Sequence, residues 1–135
     1  MNLEQFSRIL PPITDFNRPY WEGCAAGELR LQTCKQCNEM WFPEGPCCPR
    51  CLSTDFAWNP VSGRATVWSH IRMHQKYIAA YADEVPYTVI MVKLEEGPRM
   101  YSALAEGSPP PRVGAGAIVE FVAVGDRIIP KFRVV

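Results

Sequence analysis

Two cysteine pairs, Cys34-Lys35-Gln36-Cys37 and Cys48-Pro49-Arg50-Cys51, lie ten residues apart. The C-x-x-C spacing lets one tight turn present two thiolates to a single ion with backbone N–H groups aimed at the sulfurs. Two such pairs complete a tetrahedron. Four soft thiolates with no open position describe structural Zn²⁺ at Cys34, Cys37, Cys48 and Cys51, and leave no place for a catalytic water. An iron ion uses the same four ligands, so spacing alone leaves the metal open. Cys47 adjoins Cys48, but only the pair Cys48 and Cys51 keeps the knuckle spacing. All six cysteines fall between Cys24 and Cys51, and the 84 residues that follow carry none. A disulfide framework would be spread along the chain, so the clustering argues for metal. The extended pieces around the cysteines (28–33, 40–42 and 55–58) are too short to make a core of their own. Ion binding, worth on the order of 10 kcal/mol, supplies the folding energy they lack.

The flanking segments divide the 135 residues into three parts: an arm and helix over 1–27, a metal ribbon over 28–60 and an all-β module over 61–135. Residues 1–16 contain Pro11 and Pro12 and no sustained periodicity, which reads as an arm. Asn17 then stands where a helix cap belongs, with Pro19 inside the first turn and Gly27 as the stop. So short a helix is marginal alone, and Tyr20 and Trp21 must pack either on the protein's own core or on a partner.

From Arg64 onward the chain becomes strand-length runs separated by turns. Residues 64–74 alternate, with Ala65, Val67, Ile71 and Met73 on one face and Trp68, His70, Arg72 and His74 on the other. Residues 87–94 and 99–104 form a hairpin across Glu95-Glu96-Gly97-Pro98. Residues 117–124 and 128–134 follow, and Pro130 confines the last to an edge or a strand end. Five strands without an intervening helix favour a small, nearly closed barrel of the OB type. The expected fold is therefore mainly β: a short N-terminal helix and a rubredoxin-like zinc ribbon, then a five-stranded OB-fold barrel.

Charge and composition narrow the function. Lys plus Arg number 14 and Asp plus Glu 14, which gives no basic field to hold a phosphate backbone and argues against nucleic acid. OB-folds do bind single strands, so that role stands as an alternative. No run approaches the length of a membrane span, and the start MNLEQFSRIL lacks a signal pattern, so a cytoplasmic protein is expected. No nucleophile, base and orienting carboxylate occur at a recognised spacing. Cys24 and Cys47 have no histidine nearby in sequence, and His70 and His74 sit in the barrel module, so no catalytic residue is expected.

The phrases PYWEG, GELRLQTC, CKQCNEMWFPEGPCCPRC, WNPVSGRATVWSH and PYTVIMVKLEEGPR, in that order over about residues 16–135, resemble the zinc-ribbon plus OB-fold proteins of acyl-CoA metabolism. Two positions depart from the family pattern: Asn38 and Leu52 stand where glycine is usual after the second and fourth cysteines.

The resemblance implies a non-catalytic accessory subunit of a thiolase-fold enzyme, with two copies on a partner dimer, helping to bind or channel a CoA thioester while the partner makes or breaks a carbon–carbon bond. Thiolytic cleavage or Claisen condensation comes first on this reading, and retro-aldol cleavage of a CoA-linked side chain second. A small barrel fills its interior with side chains, so the thioester is expected on its surface or at an interface. Candidate CoA contacts are Arg72, His74, Lys76, Tyr77 and Arg99. Candidate partner contacts are Tyr20, Trp21, Ile78 and Tyr81.

Overall fold

In a computed structural model that describes residues 10–135, the described residues form one α-helix and eight strands. These are α1 (Arg18–Ala25), β1 (Leu29–Cys34), β2 (Met40–Trp41), β3 (Phe56–Val61), β4 (Arg64–Met73), β5 (Tyr87–Leu94), β6 (Arg99–Ala103), β7 (Gly116–Val124) and β8 (Arg127–Val134), with a 3₁₀ turn at Ala79–Tyr81. Most of the arm expected over 1–16 lies outside the described residues.

The first three strands form an antiparallel sheet in the order β2-β1-β3. β3 runs to Val61, three residues beyond the expected end, because Leu29 to Cys34 pair with it along their whole length. Pro60 is tolerated there because β3 is an edge strand.

The second sheet has the order β6-β5-β4-β7-β8 and curls until its ends meet. Leu104 bridges Phe132 in parallel, Ala105 N–H donates to Phe132 O at 2.8 Å, and Ser102 Oγ donates to Pro130 O at 3.0 Å. Pro130 has no N–H to continue this seam, and a cavity opens between β6 and β8. The result is the nearly closed five-stranded OB-like barrel that the strand pattern predicts.

α1 ends at a Schellman turn: Gly27, at φ +79°, donates to Cys24 O, and Glu28 N–H donates to Gly23 O at 2.7 Å. Its start differs from expectation. Asn17 makes no side-chain bond to the helix. Its Oδ1 instead accepts the Thr14 N–H at 2.7 Å and its Nδ2 donates to Pro12 O, so the side chain braces residues 12–14. Tyr20 and Cys24 pack into one continuous core with Leu29 and Leu31 of β1 and Ile90, Val92 and Phe132 of the barrel. The helix thus mortars ribbon to barrel, and burial pushes the Cys24 thiol up to about 11.

β4 also departs from its simple alternation. The register with β5 slips between Val67 and Ser69, a β-bulge centred on Trp68. Past it, His70 and Arg72 stand opposite Ile90 and Thr88, while Ile71 stands opposite Val89. The bulge therefore exchanges the faces: Ile71, expected inside, is 58 % exposed.

Candidate metal centre and ligand groove

The four cysteine sulfurs Cys34, Cys37, Cys48 and Cys51 all lie within 4.8 Å of one another. Cys34 Sγ is 3.5 Å from Cys51 Sγ, and Cys37 Sγ is 3.6 Å from Cys48 Sγ. A 2.3 Å zinc–sulfur bond in a tetrahedron sets its sulfurs about 3.8 Å apart, so the donor set fits such an ion. All four are free cysteines. The Gln36 and Cys37 N–H groups donate to Cys34 Sγ, and the Arg50 N–H donates to Cys48 Sγ, each at 3.4 Å. The Cys37 N–H is the main cause that brings the Cys34 thiol down to about 6, and the Gln36 N–H adds to it.

Each knuckle closes through a left-handed residue. Asn38 N–H donates to Cys34 O at 3.0 Å and Leu52 N–H to Cys48 O at 2.9 Å, with φ of +63° and +65°. The two departures from glycine therefore adopt glycine's conformation. Asn does so at little cost; Leu52, 72 % exposed, carries a β-carbon penalty without a packing return.

Gln32 belongs to no motif, and sequence reasoning missed it. It is fully buried, its Nε2 donates to Gly45 O at 2.8 Å, and its Oε1 accepts the Gly45 N–H at 2.9 Å. This reciprocal pair fixes the loop that delivers Cys48. Nothing in Leu29–Cys34 marks it out, since Arg30 and Thr33 make the strand polar at two further positions.

The structure does not bring the candidate CoA contacts together. Arg72 is the last residue but one of β4, with His74, Lys76 and Tyr77 exposed in the segment after it. Arg99 pairs with Lys93, which pairs with Thr66, so about 20 Å of strand separates it from Arg72. There its guanidinium lies 5.1 Å from the centroid of the Trp68 ring, with Lys93 Nζ at 5.6 Å.

Of the candidate partner contacts, Tyr20 is buried against Trp21 and Phe42, and Trp21 is half-buried under the Arg127 guanidinium. Both rings belong to the protein's own packing, one of the two expectations above. Ile78 is exposed; Tyr81 is half-buried 5.6 Å from Tyr87, and burial, with Glu84 close by, raises its pKa. Tyr81, Tyr87, Tyr101, Phe42 and Met100 line a cavity of about 440 Å³ between β6, β8 and the ribbon. No helix of the described residues is long and apolar enough to cross a membrane.

The ordered pair of modules has a match among known families. Residues 21–57 match the model for the ChsH2 rubredoxin-like zinc ribbon domain, and residues 58–128 that for the ChsH2 C-terminal OB-fold domain. The chain belongs to the ChsH2 family. Among its relatives is a probable enoyl-CoA hydratase alpha subunit of Thermomonospora curvata, 31 % identical over 96 % of this chain and 42 % of the relative. Another is the 3-oxo-4,17-pregnadiene-20-carboxyl-CoA hydratase alpha subunit of Mycobacterium tuberculosis, 33 % identical over 72 % of this chain and 30 % of the relative. The chain thus spans under half the length of either. A solved structure of an Ltp2-ChsH2(DUF35) aldolase superposes with a TM-score of 0.80 at 30 % identity, covering 93 % of this chain and 98 % of that one.

Proposed function

We propose that this ChsH2-family chain is a non-catalytic accessory subunit of an acyl-CoA enzyme complex, in which a thiolase-fold partner makes or breaks a carbon–carbon bond. The observation that carries the reading is the likeness to a solved chain of an aldolase over 98 % of that chain's length. The two relatives named as alpha subunits of CoA-ester hydratases support a CoA thioester as the ligand and a second polypeptide as the companion. The aldolase likeness moves retro-aldol cleavage ahead of thiolysis or Claisen condensation as the partner's reaction.

In this reading Cys34, Cys37, Cys48 and Cys51 hold a structural zinc ion, which supplies folding energy to the ribbon and takes no part in the reaction. The ribbon over 28–60 and the barrel over 61–135 act as one body through α1. The assembly is cytoplasmic and carries two copies of this chain on a partner dimer.

The test is co-expression with a thiolase-fold protein encoded beside it, followed by gel filtration and assay of a CoA-linked β-hydroxy substrate. Cleavage by the co-eluting pair and none by either chain alone supports the reading. Full turnover by this chain alone, or a partner whose activity and elution ignore it, overturns it.

A further inference from the structure

One cationic corner of the barrel and two adjoining cavities lie along a single strand, β6. At the Arg99 end, Lys93 and Arg99 flank the Trp68 indole, and among the described residues neither makes a salt bridge. Two cations held together without a carboxylate favour an anion between them. From that corner a depression of about 520 Å³ runs between Phe42 and Pro43 of the ribbon and Met91 and Tyr101 of the barrel. It shares Phe42, Met100 and Tyr101 with the 440 Å³ cavity between β6 and β8, so the two adjoin along these side chains.

The far end differs in character. Leu104, Val124 and Ile129 line it together with tyrosine rings, and its charged residues, Glu84 and Lys131, are of opposite sign. The groove follows five residues of strand, about 17 Å, with an unneutralised cationic corner at one end and an apolar chamber of ligand-site size at the other. A ligand matching this pattern has phosphate at one end, a narrow extended arm and an apolar group at the other.

We propose that this groove binds a CoA thioester in one orientation, with phosphate groups at the Lys93–Arg99 corner beside Trp68, the pantetheine arm along Tyr101 and Phe42, and an apolar acyl group in the chamber between β6 and β8. The proposal rests on the accessory-subunit reading and adds to it the site, the polarity of binding and the acyl class. It retains Arg99 from the candidate contacts and replaces Arg72, about 20 Å away along β4, and His74, Lys76 and Tyr77 in the segment that follows that strand.

Calorimetry and tryptophan fluorescence on the full chain test it with two probes, hexanoyl-CoA and the phosphate-free S-hexanoyl-pantetheine. The double variant Lys93→Ala/Arg99→Ala is expected to weaken hexanoyl-CoA about tenfold or more and to leave hexanoyl-pantetheine within about twofold. Ala103→Trp, which fills the chamber, is expected to weaken both probes about tenfold; Val124→Trp serves in its place should the first fail to fold by circular dichroism. Trp68→Phe is expected to abolish the fluorescence response to hexanoyl-CoA while calorimetry still records binding. Hexanoyl-CoA bound equally by wild type and both groove variants overturns the groove and leaves the subunit reading standing. Equal loss of both probes in the double variant overturns the assigned polarity, and absence of binding to the wild type overturns the site. The subunit reading falls separately, on failure to assemble with a partner.

Discussion

The ribbon and the barrel solve the same problem, too little apolar surface per residue, in opposite ways. The ribbon has a two-residue strand and, apart from the Leu29 and Leu31 that it contributes to the shared core, a buried cluster of Cys34, Trp41 and Cys48; what converges at its centre is four sulfurs. The barrel has no metal ligand set among the described residues and relies on Val67, Ile90, Val92, Leu94 and Phe132, all at most 1 % exposed. Stability in the first is concentrated in one ion and in the second spread over many contacts. Removing one element should therefore be catastrophic in the ribbon and graded in the barrel.

The largest effect expected is from metal removal. Chelation, or Cys34→Ser with Cys48→Ser, withdraws on the order of 10 kcal/mol from the ribbon. Hydrogen exchange should then show β1–β3 unprotected while β5 keeps most of its protection; equal loss across both modules would erase the contrast. Phe132→Ala comes next. This fully buried ring lies at the seam where the barrel closes, and its truncation should cost about 4 kcal/mol in urea unfolding without releasing the metal. Gln32→Ala removes both bonds that pin Gly45 and should cost about 2 kcal/mol, seen as faster metal loss to a competing chelator. The smallest effect has the opposite sign. Leu52→Gly relieves the left-handed leucine and should stabilise the ribbon by about 1 kcal/mol, read as slower metal release.

The same contrast explains what was legible in the sequence. The metal site is a local pattern, two turns of fixed spacing, and its four ligands are readable from the chain alone. The barrel strands are readable because alternation has a period of two, and β5 through β8 fall within a residue or so of expectation. Alternation fails where the backbone inserts a residue. The bulge at Trp68 breaks the period, so the faces assigned to Ile71 and His70 were exchanged. Asn17 was misassigned for a related reason: its side chain has donors and acceptors that suit either a cap or a preceding loop, and the choice depends on where residues 12–14 run. The groove was illegible because its walls, Phe42 in the ribbon and Tyr101 in the barrel, are 59 positions apart in the chain and meet only when the two modules pack. Lys93 and Arg99, separated by a hairpin turn, become neighbours at Trp68 by strand pairing.

Native mass spectrometry of the chain co-expressed with the proposed thiolase-fold partner tests the central claim most directly, because one spectrum reports metal content and company together. The account predicts one zinc ion for each copy of this chain, in an assembly containing a second kind of polypeptide. A metal-free, folded chain that flies alone would contradict it.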